Sequence, residues 1–168
     1  ALIHASRVAD ADKIAPVAAD DPLYGRLPCP DKTLVLDLKA LGISPEAYSE
    51  GCGGYGMAYT GERRRYSDIE LFADEKPFIW ARYPNDGYVT VGKVKEGDPS
   101  TFDYADARPE SWASLEGVRL HGYFFFDWAD ASVAMGSLNR DNKTITLGEM
   151  PHYGIKEGHR YYYYNIPE

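Results

Sequence analysis

Nowhere in the 168-residue sequence do about 20 apolar residues run together, the length that crosses a bilayer as a helix. An aromatic run such as Tyr123 to Phe126 is far shorter, so no membrane partner is expected. Cysteine is almost absent as well. Cys29 and Cys52 are the only two, with no C-x-x-C and no histidine at ligand spacing, which removes the usual zinc patterns and any disulfide framework. Whether these two pair with one another the sequence leaves open. Basic charge is scarce: 18 Lys and Arg face 26 Asp and Glu, for a net charge of −8. A field of that sign repels phosphate backbones and argues against nucleic acid. The one basic run, Arg63-Arg64-Arg65, lies among Gly61, Glu62 and Asp68 and reads as a solvated loop. No charged-then-apolar leader follows Ala1, so no signal peptide is visible, and a mature chain would look the same.

Motifs of common chemistries are missing too. The five glycines between Glu50 and Gly61 form neither G-x-x-x-x-G-K-[ST] nor G-x-G-x-x-G, and no helical pattern follows them. No serine occupies a G-x-S-x-G elbow. His152 and His159, with Glu149 and Glu157 nearby, match no metal spacing. No metal and no cofactor are expected.

What the chain does have is tyrosine, 14 of them, and short alternating segments. Tyrosine joins apolar area to a hydroxyl and suits strands, interfaces and saccharide surfaces. In GVRLHGYFFFDWAD, Val118, Leu120, Gly122, Phe124 and Phe126 fall on one side of a strand; Arg119, His121, Tyr123, Phe125 and Asp127 fall on the other. The second side can line a saccharide groove, contact a neighbouring domain or close a barrel. Six residues of extended chain separate His121 from Asp127 by about 20 Å, which excludes a direct catalytic pair unless the strand bends sharply. Asp127 and Asp130 read as turn residues at the strand end, ahead of a reading as paired glycosidase carboxylates.

Other strands are expected at Thr33–Leu38, Tyr88–Val94, Thr101–Tyr104 and Arg160–Tyr164. Hairpins are expected at Ile69–Phe72 with Phe78–Arg82, and at Val133–Leu138 with Thr144–Leu147. Short helical turns are expected near Asp10–Val17, after Ser44 around Glu46–Ser49, and within Ala107–Ala113. About eight short strands with long loops predict an all-β fold, a compact antiparallel barrel or sandwich. A single domain over residues 1–168 is expected, with residues 1–32 a loosely structured lead-in. Trp80, Trp112, Trp128, Tyr123, Tyr162 and Tyr164 are the candidate stacking or interface rings, joined by His121 and by Arg82 as a polar partner. Arg119 and Arg160 offer further polar contacts, although core packing is the commoner fate of such rings.

Three blocks then carry a resemblance: ELFADEKPFIWARYPNDGYVTVG (70–92), LHGYFFFDWADASVAMGSLNRDNKTITL (120–147) and HYGIKEGHRYYYYNIPE (152–168), with a shared lead-in over 23–43. In order, they resemble bacterial right-handed parallel β-helix glycosidases similar to glycoside hydrolase family 141. The resemblance implies a β-rich insertion domain that serves a polysaccharide-degrading enzyme. It also implies an extracellular or periplasmic location, and as partners the β-helix catalytic domain and a poly- or oligosaccharide. The catalytic acids of such enzymes lie on the helix, whose short repeated strands are missing here, so no catalytic residue is carried over. An autonomous carbohydrate-binding module, and a small hydrolase using Asp127 or Asp130, are the alternatives.

Overall fold

The computed structural model describes residues 9–43 and 71–167. The Cys29–Cys52 pairing, the turn after Ser44, the glycine loop and the arginine run therefore fall, wholly or in part, outside the described residues. The chain divides into two compact units, Ala1–Tyr48 with Pro167–Glu168, and Ser49–Ile166.

The first unit is small. Where a short helix was expected near Asp10, one 3₁₀ turn (Ala11–Lys13) passes directly into strand β1 (Ile14–Pro16), which pairs antiparallel with β2 (Leu34–Leu36). Proline at 16 cannot continue a helix, because it lacks the N–H that would be donated. The ladder ends at Asp37, whose carboxylate accepts the N–H groups of Lys39 and Ala40 and turns the chain.

The second unit is all-β. Its first described element is a short hairpin of β3 (Phe72–Ala73) and β4 (Lys76–Pro77), while residues 69 and 70 of the hairpin expected lie outside the described residues. Asp74 and Glu75 both take left-handed backbone angles, as a tight two-residue turn requires, and beyond Pro77 the Phe78 N–H donates to Leu71 O at 2.7 Å. The remaining strands are β5 (Arg82–Tyr83), β6 (Val89–Thr90), β7 (Val94–Lys95), β8 (Asp98–Asp103), β9 (Arg119–Tyr123), β10 (Ala131–Asn139), β11 (Thr144–Leu147) and β12 (Arg160–Tyr164). They form one antiparallel sheet of order β5-β12-β9-β10-β11-β8-β7, with β6 also on β12. The expected helical turn near Trp112 is a 3₁₀ turn at Arg108–Ser111.

The sheet is not a closed barrel, yet one stretch of chain touches both of its ends. Thr90 and Val89 pair with Arg160 and Tyr161 of β12, and the Val91 N–H donates to His159 O. One residue on, the Gly92 N–H donates to Asp103 O at 3.0 Å, and Val94 pairs with Phe102 of β8. Gly92 permits this change of partner, because a Cβ there would lie 2.3 Å from Asp103 O.

Alternation places the core. Phe102, Leu120, Ala131, Val133, Ile145, Tyr161 and Tyr163 are buried on one face of the sheet, joined by Val91, Tyr104, Trp112, Val118 and Phe124. Each fully buried large side chain contributes about 1.5–3 kcal/mol relative to exposure.

Candidate functional site

The opposite face of the sheet carries the chemistry. Tyr162 on β12 is paired with His121 on β9, and His121 with Ser132 on β10. One step along, Arg82, Tyr164, Arg119 and Ala134 are in register across four strands. In the other direction Tyr123 faces Arg160, which faces Thr90.

β5 and β6 lie on the same edge of β12. Tyr83 pairs with Tyr163 and Val89 with Tyr161, so residues 84–88 bulge out opposite Tyr162. This excursion brings Arg82 and Tyr88 together from its two ends. The Arg82 guanidinium sits 3.8 Å from the Tyr162 ring centroid and 5.2 Å from that of Tyr88. Its Nε donates to Pro84 O at 2.9 Å and its Nη2 donates to Gly87 O, which pins it to the bulge. Arg160 lies 4.5 Å from the Tyr123 centroid and donates to the Asp127 carboxylate.

The straight strand expected from Val118 to Phe126 ends at Tyr123, and this changes two readings. The Ala129 N–H donates to Phe126 O, so the chain turns back and β10 runs beside β9. Asp130, at the start of that return, places its carboxylate 3.7 Å from His121 Nε2. The partner of His121 is therefore Asp130, while Asp127 is paired with Arg160. Burial holds the His121 imidazole below its ordinary range, the Asp130 charge acts against that shift, and Arg82 adds to it.

Phe126, expected on the buried side, is exposed instead, because alternation stops with the strand. It stacks on Trp128 with centroids 5.4 Å apart, and Tyr153 meets both rings edge-on. Trp128 is 57% exposed. Asp127 stands between these two rings in the chain and joins them to the Arg160 end of the tyrosine face.

The other two tryptophans part company. Trp112 is 2% exposed and packs edge-on against Tyr163 in the core, so it presents no face to a ligand. Trp80 is 53% exposed and, with Leu71, Phe78 and Ile79, lines a shallow hollow of about 240 Å³ away from the tyrosine face. Arg82, His121, Tyr123 and Tyr162 are thus brought together and Trp128 adjoins them; Tyr164 beside them is buried, its hydroxyl bonded to Ser132, and Trp80 and Trp112 do not belong. Sequence reasoning missed Tyr88, Phe126 and Tyr153. Only the parity of Tyr88 relative to Val89 held a signal for the first.

A second polar cluster runs from the core to its margin, where Asp106 is half-buried and Glu110 exposed. The Tyr163 hydroxyl donates to Asp106 at 3.0 Å and shares a 2.8 Å bond with the Tyr161 hydroxyl, while the Tyr104 hydroxyl donates to Glu110. Burial raises the Asp106 carboxyl, against the hydrogen bonds it accepts from Tyr163 and the Arg108 N–H. Burial, with Glu110 beside it, pushes the Tyr104 hydroxyl up to about 12. These groups satisfy one another, as buried polar networks must. Among the described residues, no group of three or more His, Cys, Asp and Glu side chains is placed to hold a metal ion.

Comparison of the chain with protein families, with curated proteins and with solved structures gives no match.

Proposed function

We propose that this chain is an accessory β module of a secreted carbohydrate-active enzyme, which contacts glycan through the Trp128 end of its tyrosine face. One observation carries the reading: Trp128 is largely exposed, yet it is braced by Phe126 and Tyr153. A braced ring in water is ready to stack on the apolar face of a sugar without losing much conformational freedom. Asp127 and Arg160 beside it supply an acceptor and donors for hydroxyl groups. The resemblance to the insertion domain of β-helix glycosidases points the same way. No catalytic role is assigned to this chain, since Asp127 is engaged by Arg160 and Asp130 by His121.

Affinity electrophoresis in gels containing different polysaccharides tests the reading. At least one polysaccharide should retard the wild-type protein, and Trp128→Ala should migrate freely with its melting temperature nearly unchanged. Equal retardation of the two would remove Trp128 from the role.

The exposed apolar side chains of Leu71, Phe72, Phe78, Ile79 and Trp80 favour a second contact, with the catalytic domain of the parent enzyme. Ile79 is 85% exposed, which an apolar residue at a covered surface explains. Hydrogen exchange on the parent enzyme should then show amides 78–80 protected. Exchange as fast as in the separate chain would remove this contact.

A further inference from the structure

Three arginines lie on the tyrosine face, and two of them have carboxylate partners. Arg160 is paired with Asp127, and Arg119 lies 3.3 Å from Glu149. Among the described residues, no carboxylate lies within ion-pair distance of Arg82. Its positive charge is nonetheless fixed in place, by the carbonyls of Pro84 and Gly87 and by the Tyr162 ring beneath it. Two of its five donors are used in this way, which leaves hydrogens on the guanidinium for an incoming oxyanion. Tyr88, 42% exposed, stands next to it, with its ring centroid 5.2 Å from the guanidinium.

We propose that the glycan read by this face is acidic, with the carboxylate or sulfate ester of one residue received by Arg82 while its ring rests on Tyr88. This inference rests on the glycan-binding reading above. Arg82 meets the physical needs of such a site: a planar fork that matches an oxyanion in two parallel bonds, held rigidly so that little freedom is lost on binding. The chain's net charge of −8 opposes long polyanions, so the ligand presents an isolated acidic unit.

Isothermal titration with short oligosaccharides decides it, using a uronate-containing ligand, its methyl ester, a sulfated ligand and a neutral ligand of equal length. The acid or the sulfated ligand should bind about tenfold to a hundredfold more tightly than the ester and neutral forms, the value of a charge-assisted bond. Whichever of the two binds tighter identifies the oxyanion. Arg82→Gln should abolish the preference, and Arg82→Lys should keep part of it. Should Arg82→Gln fail to fold, the comparison of acid with ester on the wild-type protein still decides. Equal affinity for acidic and neutral ligands, or an unchanged preference in a folded Arg82→Gln variant, overturns the acidic site and leaves the glycan reading standing. No binding to any of the four, together with no retardation by any polysaccharide, overturns both.

Discussion

Tyr161 and Gly122 face each other across β12 and β9, and the approach is so close that a Cβ on residue 122 would lie 2.5 Å from the Tyr161 Cα and 2.3 Å from Arg160 O. The glycine is what lets the tyrosine-rich strand lie flat against its neighbour, with Tyr161 inside and Tyr162 on the ligand side.

Gly122→Ala should therefore separate these strands. The expected cost is about 3 kcal/mol or somewhat more, because backbone atoms, and not a flexible side-chain tip, occupy the space. Urea unfolding measures it; a loss below about 0.5 kcal/mol, the size of a neutral surface change, would contradict the close packing.

The tryptophans should divide sharply. Trp112→Ala removes a buried ring that packs on Tyr163 and should cost about 3–5 kcal/mol. Trp128→Ala should change stability by less than about 1 kcal/mol, as exposed sites do. Denaturant titration of both variants, beside the binding measurement, separates scaffold from surface.

His121 should make stability fall in mild acid. Its folded-state pKa lies below the ordinary 6.5, chiefly through burial, so the unfolded chain takes up the proton first. The contribution is complete above pH 6.5 and is lost as pH falls from there through the folded-state value. Unfolding free energies between pH 7.5 and 5 should decline less in His121→Gln than in the wild type. NMR titration should place the imidazole below 6.5, and a value above that would reverse the prediction.

Asp106 should act in the opposite sense. Its carboxyl is raised above the ordinary 3.8, mainly by burial, so the native state holds its proton longer than the unfolded chain does. This favours the folded protein below pH 3.8, and the advantage disappears as pH rises through the folded-state value. Relative to Asp106→Asn, the wild type should be more stable at pH 3 than at pH 6. An unchanged difference between the two across that range would show that Asp106 titrates alike in both states.

Alternation read from the sequence was a sound guide wherever a strand continued. Leu120, Val133, Ile145, Tyr161 and Tyr163 all alternate, and all are buried. The same rule failed at Phe126, because parity has meaning only while the backbone stays extended, and β9 stops at Tyr123. The hairpin before Trp80 closes tighter than its apolar residues suggested, since Asp74 and Glu75 take left-handed angles that let Ala73 pair with Lys76 inside the expected loop.

The sequence by itself determined that the chain is built from short antiparallel strands, because residues of period two must place one face inward and the other outward. It also set His121 on the side of its strand opposite Leu120, and Tyr162 opposite Tyr161 and Tyr163, without saying which side faces out. Which of those positions meet was decided by tertiary structure alone. The excursion at residues 84–88 carries Arg82 onto Tyr162, and the return of the chain after Ala129 gives His121 its partner Asp130. Strand pairing joins residues far apart along the chain, and no local pattern records the register in which they meet.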